Sequence, residues 1–126
     1  MFQYTDTTNA PGAIGPYSQA IRSNGFLFAS GQIPINPENG NIETQDIVLQ
    51  TEQVCKNVSA ILEANGLTFE NVIKTTCFLS DISDFSAFND VYAKYFTSKP
   101  ARSCVAVKDI PKGALCEIEI IAVVNP

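Results

Sequence analysis

Residues 114–124, with the sequence Ala-Leu-Cys-Glu-Ile-Glu-Ile-Ile-Ala-Val-Val, form an almost continuous apolar segment near the end of the chain. Their β-branched side chains favour extended structure, so the segment is predicted to be a strand. The apolar side chains alternate between two faces, with Cys116, Ile118, Ile120 and Ala122 on one and Leu115, Ile121 and Val123 on the other. A strand of this kind must be covered on both sides, and this requirement decides the type of fold that the rest of the chain has to build.

Two amphipathic helices are predicted upstream of this strand. In residues 46–65 the apolar positions, among them Val48, recur at spacings of three, four and seven, which is typical of a helix with one buried face. Thr44 or Asp46 can cap its first turn, and Asn65-Gly66 can end it. Residues 83–96 carry a continuous aromatic stripe at helical spacing, and we interpret this stripe as core packing.

The remaining apolar segments predict four more strands, at residues 17–22, 26–33, 72–79 and 102–108. The first two flank Asn24-Gly25, a pair that favours a tight hairpin. With a further short strand ahead of the first helix, the order is βββαβαββ. The predicted fold is a single α+β domain spanning residues 1–126, with both helices on one face of a mixed sheet.

Two helices can cover only one face of such a sheet. The other face of the strand at 114–124 is apolar as well, and an exposed apolar patch usually marks a surface of association. We therefore expect the uncovered face to pack against other copies of the chain in a closed, symmetric assembly.

Charge and composition argue against several classes of protein. The net charge is −5 and the chain has only two arginines, which argues against binding to nucleic acid. No apolar segment approaches the roughly 20 residues needed to cross a bilayer, and no secretory leader is recognisable, so a cytoplasmic protein is expected. Histidine is absent, which removes the usual proton shuttle at neutral pH and the commonest metal ligand. The four cysteines are widely spaced and form no metal-binding or redox motif.

Glu117 and Glu119 lie on the same side of the otherwise apolar last strand. A buried carboxylate needs a cation or hydrogen-bond donors, and Arg102, at the start of the preceding strand, is the best candidate cation. Two interpretations follow from these residues. Either an Arg–Glu pair holds a subunit interface, or that interface contains a pocket in which Arg102 binds a substrate carboxylate and Glu117 handles a proton or a water molecule.

Three further positions are candidates for the same pocket. Cys104 points to the same side as Arg102, but nothing basic nearby in sequence would activate its thiol, so core packing is the alternative. Tyr17 follows a Gly-Pro bend and is either a packed aromatic residue or a pocket hydroxyl. Ser30-Gly31-Gln32 interrupts an apolar strand, which either permits close approach to the backbone or marks a bulge.

Six motifs follow one another along the chain: Gly15-Pro-Tyr-Ser-Gln-Ala20, Ala29-Ser-Gly-Gln-Ile-Pro34, Lys74-Thr-Thr, Asp84-Phe85 with Asn89, Pro100-Ala-Arg-Ser-Cys104, and Glu117-Ile-Glu119. Together they resemble the RidA/YjgF family over nearly the whole chain. The resemblance implies a chorismate-mutase-like fold and a homotrimer with sites in the clefts between subunits. It also implies hydrolysis of 2-aminoacrylate, 2-aminocrotonate and their imine tautomers, 2-iminopropanoate and 2-iminobutanoate, to 2-keto acids and ammonia, with no metal or organic cofactor.

The resemblance also implies roles for individual residues. Arg102 would form a fork with the substrate carboxylate, aided by the backbone N–H of Gly31. Glu117 would hold the attacking water, and Cys104 would contact the imine nitrogen or the opposite end of the acid mainly through its backbone. The residues expected to line the cleft are Tyr17, Ser30 and Asn89. The connection at residues 97–100 is shorter than in many members of the family, which leaves the substrate preference open.

Three other functions stay open at the level of sequence. One is a regulatory protein that binds small carboxylic acids without turnover. Another is an endoribonuclease or translation inhibitor, against which the net charge of −5 and the absence of histidine argue. The third is a structural trimer in which Arg102 and Glu117 only neutralise each other.

Overall fold

The computed structural model describes residues 1–125. Within this range the elements in chain order are β1 (Gln3–Thr5), β2 (Ala20–Ser23), β3 (Phe26–Ala29), β4 (Ile35–Asn36), β5 (Asn41–Ile42), α1 (Ile47–Ala64), β6 (Val72–Leu79), α2 (Phe85–Tyr95), β7 (Ala101–Ala106) and β8 (Cys116–Val123). No helix in the described residues is both long and apolar enough to span a membrane.

Six of the strands form one mixed sheet in the order β1-β2-β3-β8-β6-β7. The apolar segment that includes β8 occupies the middle of this sheet, antiparallel to both β3 and β6, while β7 runs parallel to β6 at the edge. The predicted α+β fold and the order βββαβαββ are confirmed for this sheet. The further short strand predicted ahead of the first helix had no assigned residues; β1 supplies the third strand of this sheet, and β4 and β5 pair in a separate hairpin.

The helix α1 begins and ends close to the predicted residues. Asp46 is the cap, because its carboxylate accepts the Leu49 N–H at 2.9 Å, and Gly66 follows the helix with a φ of +69°. The position of Val48 was predicted wrongly, since its side chain is 40% exposed. Polar residues occupy part of the buried face instead: Gln50 and Asn57 are fully buried and hydrogen-bond to backbone groups of neighbouring loops.

The aromatic stripe of α2 is confirmed as core packing. Phe88, Tyr92 and Phe96 are buried, and the rings of Tyr92 and Phe96 stack with centroids 4.3 Å apart. The helix begins at Phe85 rather than at residue 83, because residues 82–84 form a 3-10 turn that is capped by Asp81.

The predicted faces of β8 are correct. Its even-numbered residues, Cys116, Ile118, Ile120 and Ala122, are fully buried beneath the helices. The opposite face carries both glutamates together with Ile121 and Val123, and it continues into Phe28 on β3, which is 45% exposed. What covers this open face in solution stays a prediction.

The predicted strands at residues 17–22, 26–33 and 102–108 run past the observed ends, since β2 begins only at Ala20, β3 ends at Ala29 and β7 ends at Ala106. Residues 17–19 and 30–33 instead form loops around one cleft.

Candidate functional site

Arg102 and Glu117 lie on opposite faces of the sheet. In the parallel ladder Arg102 pairs with Thr75, whose hydroxyl is buried against Tyr92 on the helix side. Glu117 pairs with Phe78 in the antiparallel ladder, on the side away from the helices. Because β6 separates the two strands and the side chains face opposite ways, the two residues cannot neutralise each other within one chain.

Arg102 is held by uncharged groups. Its Nη1 donates to Asn89 Oδ1 at 2.7 Å, and its Cζ lies 4.7 Å from the ring centroid of Tyr92 and 5.5 Å from that of Phe85. Phe85, Asn89 and Tyr92 are spaced i, i+4 and i+7 on α2, so one face of the helix presents all three to the guanidinium. In residues 1–125 no carboxylate forms a salt bridge with Arg102. A guanidinium has five N–H donors, so most of them are left for a ligand.

The cleft in front of this arginine, here called the Arg102 cleft, has a volume of about 460 Å³. Its lining residues are Asn89, Tyr92, Ala93, Phe96, Thr97, Lys99, Pro100 and Arg102. Among the described residues, this lining contains two cations and no carboxylate, which suits it to an anionic ligand.

A second cleft, here called the Glu117 cleft, has a volume of about 490 Å³. It brings together four of the residues singled out in the sequence, namely Tyr17, Ser30, Gly31 and Glu117. Its other walls come from the loop at residues 11–14, from residues 32–35 and from Pro111-Lys112. The predicted site is therefore divided within one chain, because Asn89 and Arg102 lie in the other cleft.

Gly31 allows the Glu117 side chain to lie against the backbone. Phe28 pairs with Ile121 and Gln32 with Ile118, so three residues on one strand oppose two on the other, which is a β-bulge. A Cβ atom built on Gly31 would stand 2.8 Å from Glu117 Cδ and nearer still to a carboxyl oxygen. The bulge and the close approach, which the sequence offered as alternatives, thus occur together.

Burial raises the pKa of the Glu117 carboxyl, and the negative charge of Glu119 adds to the effect. A raised pKa favours the protonated form and brings the group nearer to the range in which a carboxyl can both accept and donate a proton.

Ser30 and Gln19 tie the N-terminal loop to this cleft. The Ser30 hydroxyl donates to the Ser18 carbonyl at 2.6 Å, which fixes the residue next to Tyr17. Gln19 is only 3% exposed; it accepts the Thr7 N–H at 2.7 Å and donates to the carbonyls of Thr7 and Pro11, both at 2.9 Å. Gln19 stands in the motif at residues 15–20 without a predicted role, because no spacing or composition signal distinguishes it from an exposed glutamine.

Cys104 is half-buried on the same face of β7 as Arg102 but lines neither cleft. Burial raises the pKa of its thiol, an effect that the nearby Arg102 charge only partly opposes. The thiol therefore stays protonated at neutral pH and is a poor nucleophile.

These features define a class of small α+β protein with two separate clefts on the two faces of one sheet. One cleft contains an arginine that has no carboxylate partner in residues 1–125, and the other contains a partly buried glutamate. A model of the family described as Endoribonuclease L-PSP matches residues 7–124. Putative regulator AldR of Lactococcus lactis is 57% identical over 94% of this chain and 95% of its own length. Reactive Intermediate Deaminase A of Arabidopsis thaliana, a chloroplast protein, is 46% identical over 95% of this chain and 65% of its own length. The chain belongs to the RidA/YjgF/RutC family.

Solved structures agree with this assignment. The YjgF gene product of E. coli is 42% identical and superposes with a TM-score of 0.92, with 98% of this chain and 99% of that chain covered. E. coli TdcF with bound serine is also 42% identical, with a TM-score of 0.91 over 96% of this chain and 98% of that chain. The fold is therefore the chorismate-mutase-like fold of YjgF.

Proposed function

We propose that this protein is a cytoplasmic enamine/imine deaminase that hydrolyses 2-iminopropanoate and 2-iminobutanoate to the 2-keto acids and ammonia. The proposal depends on the surroundings of Arg102. Asn89 and Tyr92 hold its guanidinium in place, and its remaining N–H donors face a cleft in which no carboxylate of residues 1–125 lies. Such a fork matches the planar carboxylate that these substrates share. Relatives with a small amino-acid ligand and with a deaminase name support the same chemistry.

The complete site would form between copies of the chain. Because Arg102 and Glu117 face opposite sides of one sheet, a substrate that contacts both needs a second subunit to bring the other cleft to it. The open face of the sheet, with Ile121, Val123 and Phe28, offers the apolar surface that such an assembly would bury. We therefore propose a homotrimer of single-domain subunits with three sites, each made from the Arg102 cleft of one subunit and the Glu117 cleft of its neighbour.

The chemistry needs little more than binding and one oriented water molecule. The imine carbon is already electrophilic, so positioning supplies a large part of the rate. Water adds to that carbon, and Glu117 accepts a proton from the water and passes this proton to the imine nitrogen. The C–N bond then breaks as the C=O bond forms. The second proton of the water leaves with the nitrogen as ammonia. The N–H of Gly31, which meets no acceptor in residues 1–125, would hold a carboxylate oxygen beside Arg102. Tyr17 and Ser30 would shape the wall, and Cys104 would act through its backbone.

The test generates 2-iminobutanoate with a threonine dehydratase in the presence of semicarbazide and follows formation of the semicarbazone. Wild-type protein is expected to compete with trapping and lower the signal, whereas Arg102→Ala is expected to leave the signal unchanged. Arg22→Ala is the matched control, because Arg22 is the only other arginine and contacts Asn65 away from both clefts. Equal trapping with and without wild-type protein would reject the deaminase function.

A second candidate is a regulatory protein that binds small carboxylic acids without turnover, favoured by the regulator name of the 57% identical relative. It predicts that 2-ketobutyrate binds in an Arg102-dependent manner while imine hydrolysis is not accelerated. Calorimetric titration beside the trapping assay separates the two.

A further inference from the structure

Lys99 and Arg102 line the same cleft, and no carboxylate of residues 1–125 lines it with them. The other lysines near the clefts are engaged elsewhere. Lys94 forms an ion pair with Glu52 at 2.7 Å. Lys112 lines the other cleft, the Glu117 cleft, and its ammonium lies 3.5 Å from the Gly40 carbonyl. Lys99 forms no salt bridge within residues 1–125.

The backbone around Lys99 is held in place. Lys99 has a φ of +53°, which is uncommon for a residue other than glycine, and its N–H donates to the Phe96 carbonyl at 3.2 Å. The Ser98 hydroxyl donates to the Val72 carbonyl at 2.7 Å, and Thr97 donates to the carboxylate of Glu70. Because hydrogen bonds hold residues 97–99, the backbone of Lys99 has a defined position on the rim of the cleft.

The fork of Arg102 can pair with a single carboxylate by itself, so a monocarboxylic imine would leave the Lys99 ammonium without an anionic partner. We propose that Lys99 extends the site to substrates with a second carboxylate, so that 2-imino dicarboxylates, such as those derived from aspartate and glutamate, are accepted beside the monocarboxylic imines. This inference rests on the proposed function, since it names the substrate class of the same site. The 2-carboxylate lies on Arg102 and the distal carboxylate pairs with the Lys99 ammonium.

The two cations of this cleft contrast with the overall net charge of −5. A dianionic ligand meets net repulsion from the protein as a whole, so binding of a diacid requires cations at the cleft itself. Glu70 is the carboxylate that contacts this connection, and it is engaged by the Thr97 hydroxyl outside the cleft lining.

The test compares binding of two stable keto acids, 2-oxoglutarate with two carboxylates and 2-oxobutanoate with one, by calorimetric titration of the full-length protein. Lys99→Met, which keeps the length of the side chain, is expected to weaken 2-oxoglutarate about fivefold, the upper range for an exposed ion pair, and to leave 2-oxobutanoate unchanged. Lys99→Arg is expected to retain the diacid affinity. Lys56→Met is the matched control, since it removes the same charge from an exposed position of α1 outside both clefts.

Three outcomes would overturn the inference: equal weakening of both acids in Lys99→Met, no weakening of either, or no binding of 2-oxoglutarate to the wild-type protein. Measuring 2-iminobutanoate hydrolysis in the same variants keeps this result separate from the proposed function. A diacid effect without any hydrolysis would reject the deaminase and leave Lys99 only as a residue that binds diacids. Hydrolysis with no diacid effect would reject only the role of Lys99.

Discussion

The carboxyl group of Glu117 lies directly against the backbone of Gly31, where a Cβ atom would stand 2.8 Å from Cδ and 3.1 Å from Cγ. Because the Glu117 side chain is flexible, Gly31→Ala is expected to displace the carboxyl group while the protein still folds. The predicted loss of kcat/KM for 2-iminobutanoate is about 10²-fold, the lower range for general acid–base help. Gly12→Ala is the control, since Gly12 lines the same cleft and a Cβ there meets nothing within 4 Å. Equal activity of the two variants would contradict a role for the Glu117 position.

The raised pKa of Glu117 predicts a stability that depends on pH. Below the ordinary carboxyl pKa both the folded and the unfolded states are protonated. Between the ordinary pKa of the unfolded chain and the raised pKa of the folded protein, the carboxyl group ionises in the unfolded chain first. The folded state therefore loses stability over this pH range and does not regain it at higher pH. Glu117→Gln removes the loss, and we expect unfolding in urea at about pH 7.5 to show a higher free energy of unfolding than the wild type, together with loss of deaminase activity.

The control for this gain is Glu119→Gln, which removes the same charge from an exposed position on the same face and is expected to stabilise less. Below about pH 3.5 the advantage of Glu117→Gln should vanish, because the wild-type carboxyl is then neutral. A gain that persists at low pH would show that packing rather than ionisation causes it.

Asn89 is a positioning residue, and its replacement by aspartate tests this role. Asn89→Asp would place a carboxylate beside Nη1 of Arg102 and engage the guanidinium in an internal ion pair. We expect KM to rise about tenfold or more with a smaller change in kcat, since a hydrogen bond to a charged group contributes about 1.5–3 kcal/mol. Asp90→Asn, at the exposed neighbouring position, is the control. A loss confined to kcat would contradict the binding role.

The protonated thiol of Cys104 predicts that Cys104→Ser keeps most of the activity. Burial raises the pKa of this thiol and no general base within residues 1–125 hydrogen-bonds to it, so serine can replace it without removing a nucleophile. The trapping assay should rank Cys104→Ser near wild type and Arg102→Ala near background. Comparable losses in the two variants would mean that the thiol takes part in the reaction.

Gln19 is predicted to hold the loop at residues 7–17 in place. Gln19→Leu leaves the Thr7 N–H and the carbonyls of Thr7 and Pro11 without their partner, at a cost of about 1–3 kcal/mol. Hydrogen exchange of this loop should accelerate, and the free energy of unfolding should fall. Gln45→Leu, an exposed glutamine, is the control and is expected to change neither. Unchanged exchange in Gln19→Leu would show that the loop is fixed by other contacts.

Two elements with regular periodicity were predictable almost to the residue. The strand at 72–79 was predicted with the observed bounds, and the helix predicted for 46–65 spans Ile47–Ala64, because hydrophobic spacing and capping are local properties of the sequence. The residues of the short strand β1 and of the hairpin of β4 and β5 were not assigned, since elements of two or three residues carry no periodicity. Val48 was misplaced because buried Gln50 and Asn57 occupy part of the helix face that spacing alone assigns to apolar residues.

The residue types of the candidate site were also predictable, while their partners were not. Arg102 in Pro100-Ala-Arg and Glu117 in an apolar strand can be recognised from the sequence, because each is a charged residue beside an apolar segment. That Asn89 orients the guanidinium and that Gly31 makes room for the carboxyl group depends on a helix face and a bulge from distant parts of the chain.

By itself, the sequence determined the α+β class, the central apolar strand and the two faces of β8, because alternation and spacing fix which side chains share a surface. Only the tertiary structure decided that Arg102 and Glu117 are divided between two clefts. Strand order and register set that relationship: β6 lies between β7 and β8, and the registers place Arg102 beside Thr75 on the helix face and Glu117 beside Phe78 on the open one. No local pattern encodes which strands become neighbours, since that choice is made by the packing of the whole sheet.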